Sequence, residues 1–110
     1  MEHVFHPSAR EGGGASQFEG KNYAAGLSII FVDFEPGTGP RLHRHEYEEV
    51  FVVHQGAATF TVGEAQVEAG PGDVAVVPAG MPHGFVNSGD ERLRMTAIHH
   101  SPEFATEWLE

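Results

Sequence analysis

At 110 residues, 40% of them apolar, the chain has room for one domain built on one hydrophobic core. A formal charge of −10, from 16 acidic and 6 basic side chains, repels phosphate backbones and argues against nucleic acid as a partner. No apolar run of about 18 residues is present to cross a membrane as a helix. The chain does not open on a basic segment followed by an apolar stretch, so no signal peptide is expected. Without cysteine there is neither disulfide nor thiolate ligand, and the cytoplasm is the expected location.

In chain order, residues 1–20 read as an N-terminal arm, with Gly12-Gly13-Gly14 as a flexible connection and subunit contacts as its candidate role. Residues 21–110 read as a single β domain. Leu27 to Phe34 is β-branched and aromatic and predicts a central strand, broken by Glu35 to Pro40. Val50 to His54 and Ala58 to Val62 predict two strands joined through Gln55-Gly56 as a hairpin. Ala65 to Ala69, Asp73 to Val77, His83 to Asn87 and Leu93 to His100 complete the series, separated by Gly- and Pro-rich turns. Ser101 as N-cap and Pro102 at the first helical position predict a short helix over Glu103 to Leu109. Short strands at this spacing, with 14 glycines and 7 prolines, indicate an antiparallel sandwich or barrel.

Eight histidines exceed average usage, and the informative group is His43-Arg44-His45-Glu46-Tyr47-Glu48-Glu49. On a strand, His43 and His45 share a face and Arg44 points away. A straight strand would carry Glu49 roughly 13 Å beyond His45, so a shared ion requires a turn near Glu46 to Glu48 that places Glu49 on the neighbouring strand. A further ligand must come from elsewhere, and His83, opening a strand after Pro78-Ala79-Gly80-Met81-Pro82, is the candidate. Each residue alone has a plainer reading: a His-x-His pair on a polar strand face, Glu49 in a solvated acidic run, His83 bonded to its turn.

The joint pattern resembles the cupin superfamily, of which both signature motifs are matched. The first is Gly37, five residues, His43, one, His45, three, Glu49, six, Gly56; the second is Gly72, five, Pro78, one, Gly80, two, His83, three, Asn87. The 15-residue spacer fits the small single-domain members. The resemblance implies an all-β jelly-roll (double-stranded β-helix) barrel, here with the short C-terminal helix. It also implies one divalent transition metal per chain, held by His43, His45, Glu49 and His83. Three imidazoles and one carboxylate suit Fe, Mn, Ni, Zn, Co or Cu, and four ligands on an octahedral ion leave two positions open. Asn87 reads as structural.

With Arg92 and Arg94 facing solvent, Leu93, Met95, Ala97 and His99 turn inward. The expected pocket is walled by Phe51, Phe85 and Met95, with Phe60 as an alternative core residue and Tyr47 at the barrel mouth. It suits a small, partly apolar molecule with one or two oxygens for the metal. His99 is the candidate general base or substrate hydrogen-bond partner, or else a hydrogen-bonded histidine at a strand end. The expected function is a metal-dependent enzyme, a dioxygenase first and an isomerase or lyase next, against a non-catalytic ligand-binding or sensing module. The outward Ile98 and the N-terminal arm suggest a homodimer, as the family resemblance also does.

Overall fold

A computed structural model describes residues 3–7 and 14–110. Among these described residues ten strands run in the order β1 (Gly14–Phe18), β2 (Ser28–Phe34), β3 (His43–Arg44), β4 (Glu49–Gln55), β5 (Ala58–Val62), β6 (Ala65–Ala69), β7 (Val74–Val77), β8 (His83–Asn87), β9 (Leu93–His99) and β10 (Glu107–Trp108). They form two antiparallel five-stranded sheets, β1-β2-β9-β4-β7 and β10-β3-β8-β5-β6, faced against each other as a jelly roll. Gly12 and Gly13 of the expected flexible connection lie outside the described residues.

Strict alternation builds the core. β9 reads buried, exposed or half-buried, buried along its length, so that Leu93, Met95, Ala97 and His99 point in. Phe51, Phe60 and Phe85 come from three strands of both sheets and meet with ring centroids 4.9–5.6 Å apart. Phe51 and Phe60 are almost completely buried. Burial of such a ring is worth about 1.5–3 kcal/mol, and this trio ties the sheets together on one side of the metal centre.

Three expectations are corrected. β4 and β5 do not form a hairpin: β4 pairs with β7 and β9, and β5 with β6 and β8. A bulge between Val53 and Gln55 ends the β4 ladder, and Gly56, at φ +87°, turns the chain across to the other sheet. A Cβ there would come within 2.7 Å of the Arg92 carbonyl oxygen, so this crossing needs glycine. The second correction lies at the N-terminus. Residues 14–18, read as part of an arm, form edge strand β1 on β2, so β2 lies inside the sheet but not at its centre. Phe18 is held by Phe5 and Tyr23, with ring centroids at 5.4 and 4.9 Å.

The third correction is the C-terminal helix. Ser101 Oγ donates to the Glu103 carbonyl and accepts from Glu103 N–H, which makes a local turn rather than a helix cap. Beyond it the chain runs extended and adds β10 to the open edge of β3. Leu109 N–H donates to the Leu42 carbonyl at 3.0 Å, and Arg44 Nε donates to Glu107 at 2.6 Å. An unpaired strand edge competes for the same backbone groups that a two-turn helix would use, and so short a helix is marginal alone.

Candidate metal centre

His43 and His83 are cross-strand partners on β3 and β8, and cross-strand partners share a face, so their imidazoles meet at 4.3 Å between ring centroids. His45 lies just past β3, where the chain leaves the sheet; its carbonyl accepts Gly80 N–H at 2.8 Å. That bond ties the second motif's proline turn to the first motif. Glu49 opens β4 in the opposite sheet, not on a strand adjacent to β3, and reaches the histidines across the barrel. One donor atom from each of the four residues lies within 4.8 Å of the others, and all four side chains are buried.

Hydrogen bonding orients the rings. Nδ1 of His43 donates to the Arg41 carbonyl at 2.7 Å, that of His45 to Tyr47 at 3.0 Å, and that of His83 to Met81 at 2.9 Å. A carbonyl can only accept, so each Nδ1 carries the proton and a neutral ring offers its Nε2 lone pair. Two of these nitrogens, on His45 and His83, lie 2.9 and 3.1 Å from Glu49 Oε1. Lone pairs crowded onto a carboxylate oxygen in a buried site call for a cation among them. The donor set thus fits a divalent metal.

Charge states agree. Burial pushes the Glu49 carboxyl up, but the surrounding imidazoles of His45, His83 and His99 outweigh burial and hold the group well below the usual carboxylate range. Burial lowers the His43 imidazole, assisted by His83 and His45, so that it stays neutral and able to ligate.

Beside the cluster a cavity of about 270 Å³ opens between the sheets. Its wall includes Phe51 and Phe85 as expected, together with Ile30, Val32 and Phe34 of β2 and Phe104, Thr106 and Trp108 of the C-terminal segment. Its ionisable lining residues are His43, Glu49 and His99. Phe60 and Met95 do not line it. Register pairs Met95 with Val32 and Val53, four residues along β9 from His99, or roughly 13 Å. Tyr47 lines an outer cleft instead, with Arg44, His45 and Glu107. The C-terminal wall was hidden from sequence reading because that segment scanned as a helix. Asn87 is structural: its Nδ2 bridges the Phe34 and Glu91 carbonyls at 3.0 and 2.9 Å.

His99 is the directly opposed partner of Glu49 on β9. Its Nε2 lies 3.0 Å from Glu49 Oε2, but off hydrogen-bond alignment, and has no hydrogen-bond partner. Its Nδ1 lies 2.8 Å from the Tyr47 hydroxyl. His3, His6, His54 and His100 are exposed.

A family model described as the cupin domain matches residues 30–99. The chain belongs to the cupin domain family, with a His/His/Glu/His metal-binding cluster. It is 31% identical over 77 residues to an uncharacterized protein of Streptomyces coelicolor, covering 70% of this chain and 72% of that one. It is 29% identical over 80 residues to the HTH-type transcriptional regulator PuuR of Escherichia coli, covering 71% of this chain and 43% of the regulator. Among solved structures it is similar to the oxalate decarboxylase of Lactobacillus farciminis in its formate complex, at 28% identity and TM-score 0.81, over 94% of this chain and 33% of that one. The oxalate decarboxylase of Bacillus subtilis, studied for its Mn(II) centres, matches at 28% identity and TM-score 0.81, over 96% and 30%. The chain therefore spans about a third of those enzymes and under half of the regulator. Among the described residues no helix is long and apolar enough to cross a membrane.

Proposed function

We propose that the protein is a metal-dependent enzyme acting on a small, partly apolar organic molecule, with dioxygenase chemistry as the first assignment. The observation that carries this reading is the four-ligand cluster at the end of an apolar cavity of about 270 Å³, whose lining holds no lysine, arginine or aspartate. A site with one charged anchor and aromatic walls selects a molecule that brings one or two oxygens to the metal and buries the rest. When bound, the ion supplies Lewis acidity and, if redox-active, electron transfer. Phe51 and Phe85 exclude water from the reacting end, and Glu49 and the three imidazoles hold the ion's position. The Mn(II) of the similar oxalate decarboxylase supports a transition metal here. Elemental analysis of natively expressed protein, then O₂ uptake with phenols, diketones and amino-acid derivatives, tests the reading. Bound Fe with substrate-dependent uptake is expected. A redox-inert metal with no uptake would overturn the dioxygenase assignment and leave an isomerase or lyase.

The similarity to PuuR favours a second reading, a sensing module in which the metal anchors a ligand without turnover. Saturable ligand binding with no product is its signature.

We also propose a homodimer through the outer face of the β1-β2-β9-β4-β7 sheet. Phe18, Ile29, Ile98, Val50 and Val76 stand in register across all five strands, and Val74 and Val76 are more than half exposed. At a net charge of −10, two copies repel through most surfaces, and this uncharged row is where a second copy can close without that cost. Light scattering should give a dimer mass for the wild type and a monomer for Val76→Glu. A monomeric wild type would remove the idea.

A further inference from the structure

The two nitrogens of His99 have unequal surroundings, and the inequality decides which one carries the proton. Tyr47 Oη already accepts a hydrogen bond from Ala105 N–H at 3.3 Å, so the phenolic proton must find an acceptor of its own. The acceptor within reach is His99 Nδ1, at 2.8 Å. A phenol keeps its proton at neutral pH and so has one to donate. Nδ1 then holds the lone pair, and the neutral ring carries its proton on Nε2. That nitrogen is buried, lacks a hydrogen-bond partner, and belongs to a side chain on the cavity wall beside Glu49. Phe104 fixes the ring edge-on at 4.9 Å, and Tyr47 itself lies flat on the ligand His45, with ring centroids 4.3 Å apart.

We propose that His99 is a hydrogen-bond donor, through Nε2–H, to an oxygen of the molecule held at the metal centre, and that Tyr47 is the positioning residue that fixes this tautomer. The proposal rests on the small-molecule reading above and decides between the general-base and hydrogen-bond roles left open for His99. A general base needs its lone pair toward the substrate, and here the lone pair faces Tyr47. The proton stays on Nε2, and a buried N–H meeting a partly anionic oxygen stabilises it without proton transfer. Specificity follows: molecules that present a second oxygen beside the metal-bound one fill the orphaned donor, and molecules without it leave the donor buried and unpaired.

Nitrogen-15 NMR of histidine-labelled protein, metal-free and zinc-loaded, reads the tautomer directly, with His99→Gln assigning the resonance. The wild type should show a protonated Nε2 and an unprotonated Nδ1, and Tyr47→Phe should shift the His99 signals toward a mixture of tautomers. A protonated Nδ1 in the wild type would overturn the proposal, with or without ligand binding. Calorimetry with benzohydroxamate, a two-oxygen chelator with an aromatic tail, reads the donor role in zinc-loaded protein. His99→Leu should weaken binding about tenfold, and His99→Gln, which keeps an N–H, should recover most of it. Equal affinity in wild type and His99→Leu would overturn the donor role. The expected tautomer without any hydroxamate binding would overturn the small-molecule reading and the donor role with it. Failed O₂ uptake touches the dioxygenase assignment alone.

Discussion

The three ligand imidazoles are oriented by carbonyls two residues away in sequence: Arg41 for His43, Tyr47 for His45 and Met81 for His83. Each ring is thus held by its own local backbone, and removing one does not undo the others. His45 lies outside the strands, and the bond that ties its segment to the proline turn runs from Gly80 N–H to its carbonyl, which any residue supplies. His45→Ala is therefore expected to lose most bound metal while far-UV circular dichroism keeps the β signature. Full metal occupancy in that variant, by elemental analysis, would sink the site assignment. The ligand set was legible through the resemblance to both cupin motifs, while strand parity alone puts only His43 and His45 on one face. Their carbonyl anchors and the Tyr47–His99 contact were not. Those depend on backbone directions in loops and on cross-barrel distance, neither of which a residue pattern encodes.

Strands with strong local signals were readable: β5, β6 and β8 match their expected bounds, and β9 stops one residue short at His99. The elements that were misread are those whose conformation is decided by a partner. The Gln55-Gly56 link looks like a hairpin turn, yet β4 and β5 find partners in different sheets. Glu103 to Leu109 carries a plausible helix start, yet the open edge of β3 captures it. That capture gives the cavity one wall, since Trp108 packs on His43 with ring centroids 5.0 Å apart while Arg41 lies 4.9 Å from the indole. The exposed Arg44–Glu107 pair is screened by solvent and contributes little, so apolar contact and two backbone positions hold most of the segment. Trp108 is the single tryptophan, which makes it a reporter of the site. Adding Cu(II) or Co(II) to metal-free protein should quench its emission with one-to-one stoichiometry, and His43→Ala should abolish the response. Unchanged emission at full metal loading would place Trp108 away from the centre and contradict the strand pairing of β10.

Across the whole molecule the ligand cluster spans the two sheets, with Glu49 on one and His43 and His83 on the other, so a bound ion would join them. Anything that binds only the folded state stabilises it by mass action, about 4 kcal/mol at a thousandfold excess over Kd. Acid should remove this gain and weaken the metal-free barrel as well. The folded His43 imidazole lies below its ordinary 6.5, chiefly through burial, so the unfolded chain binds a proton there that the folded chain refuses. Where the unfolded state binds more protons, stability falls as pH falls, beginning near pH 6.5. Glu49 has the same sign, since its folded carboxyl is depressed: its contribution is complete above about 4.5 and is lost as pH drops below that value. Relief of acidic self-repulsion does not reverse the trend in mild acid, because most surface carboxylates titrate nearer pH 4. The urea midpoint of chelator-treated protein should therefore decrease from about pH 7.5 to about pH 5.5. Metal-loaded protein should start higher and fall more steeply, because its ligands must be deprotonated to bind. A chelator without effect on the midpoint, or a metal-free midpoint that rises toward acid, would show that neither the ion nor the neutral imidazole joins the sheets.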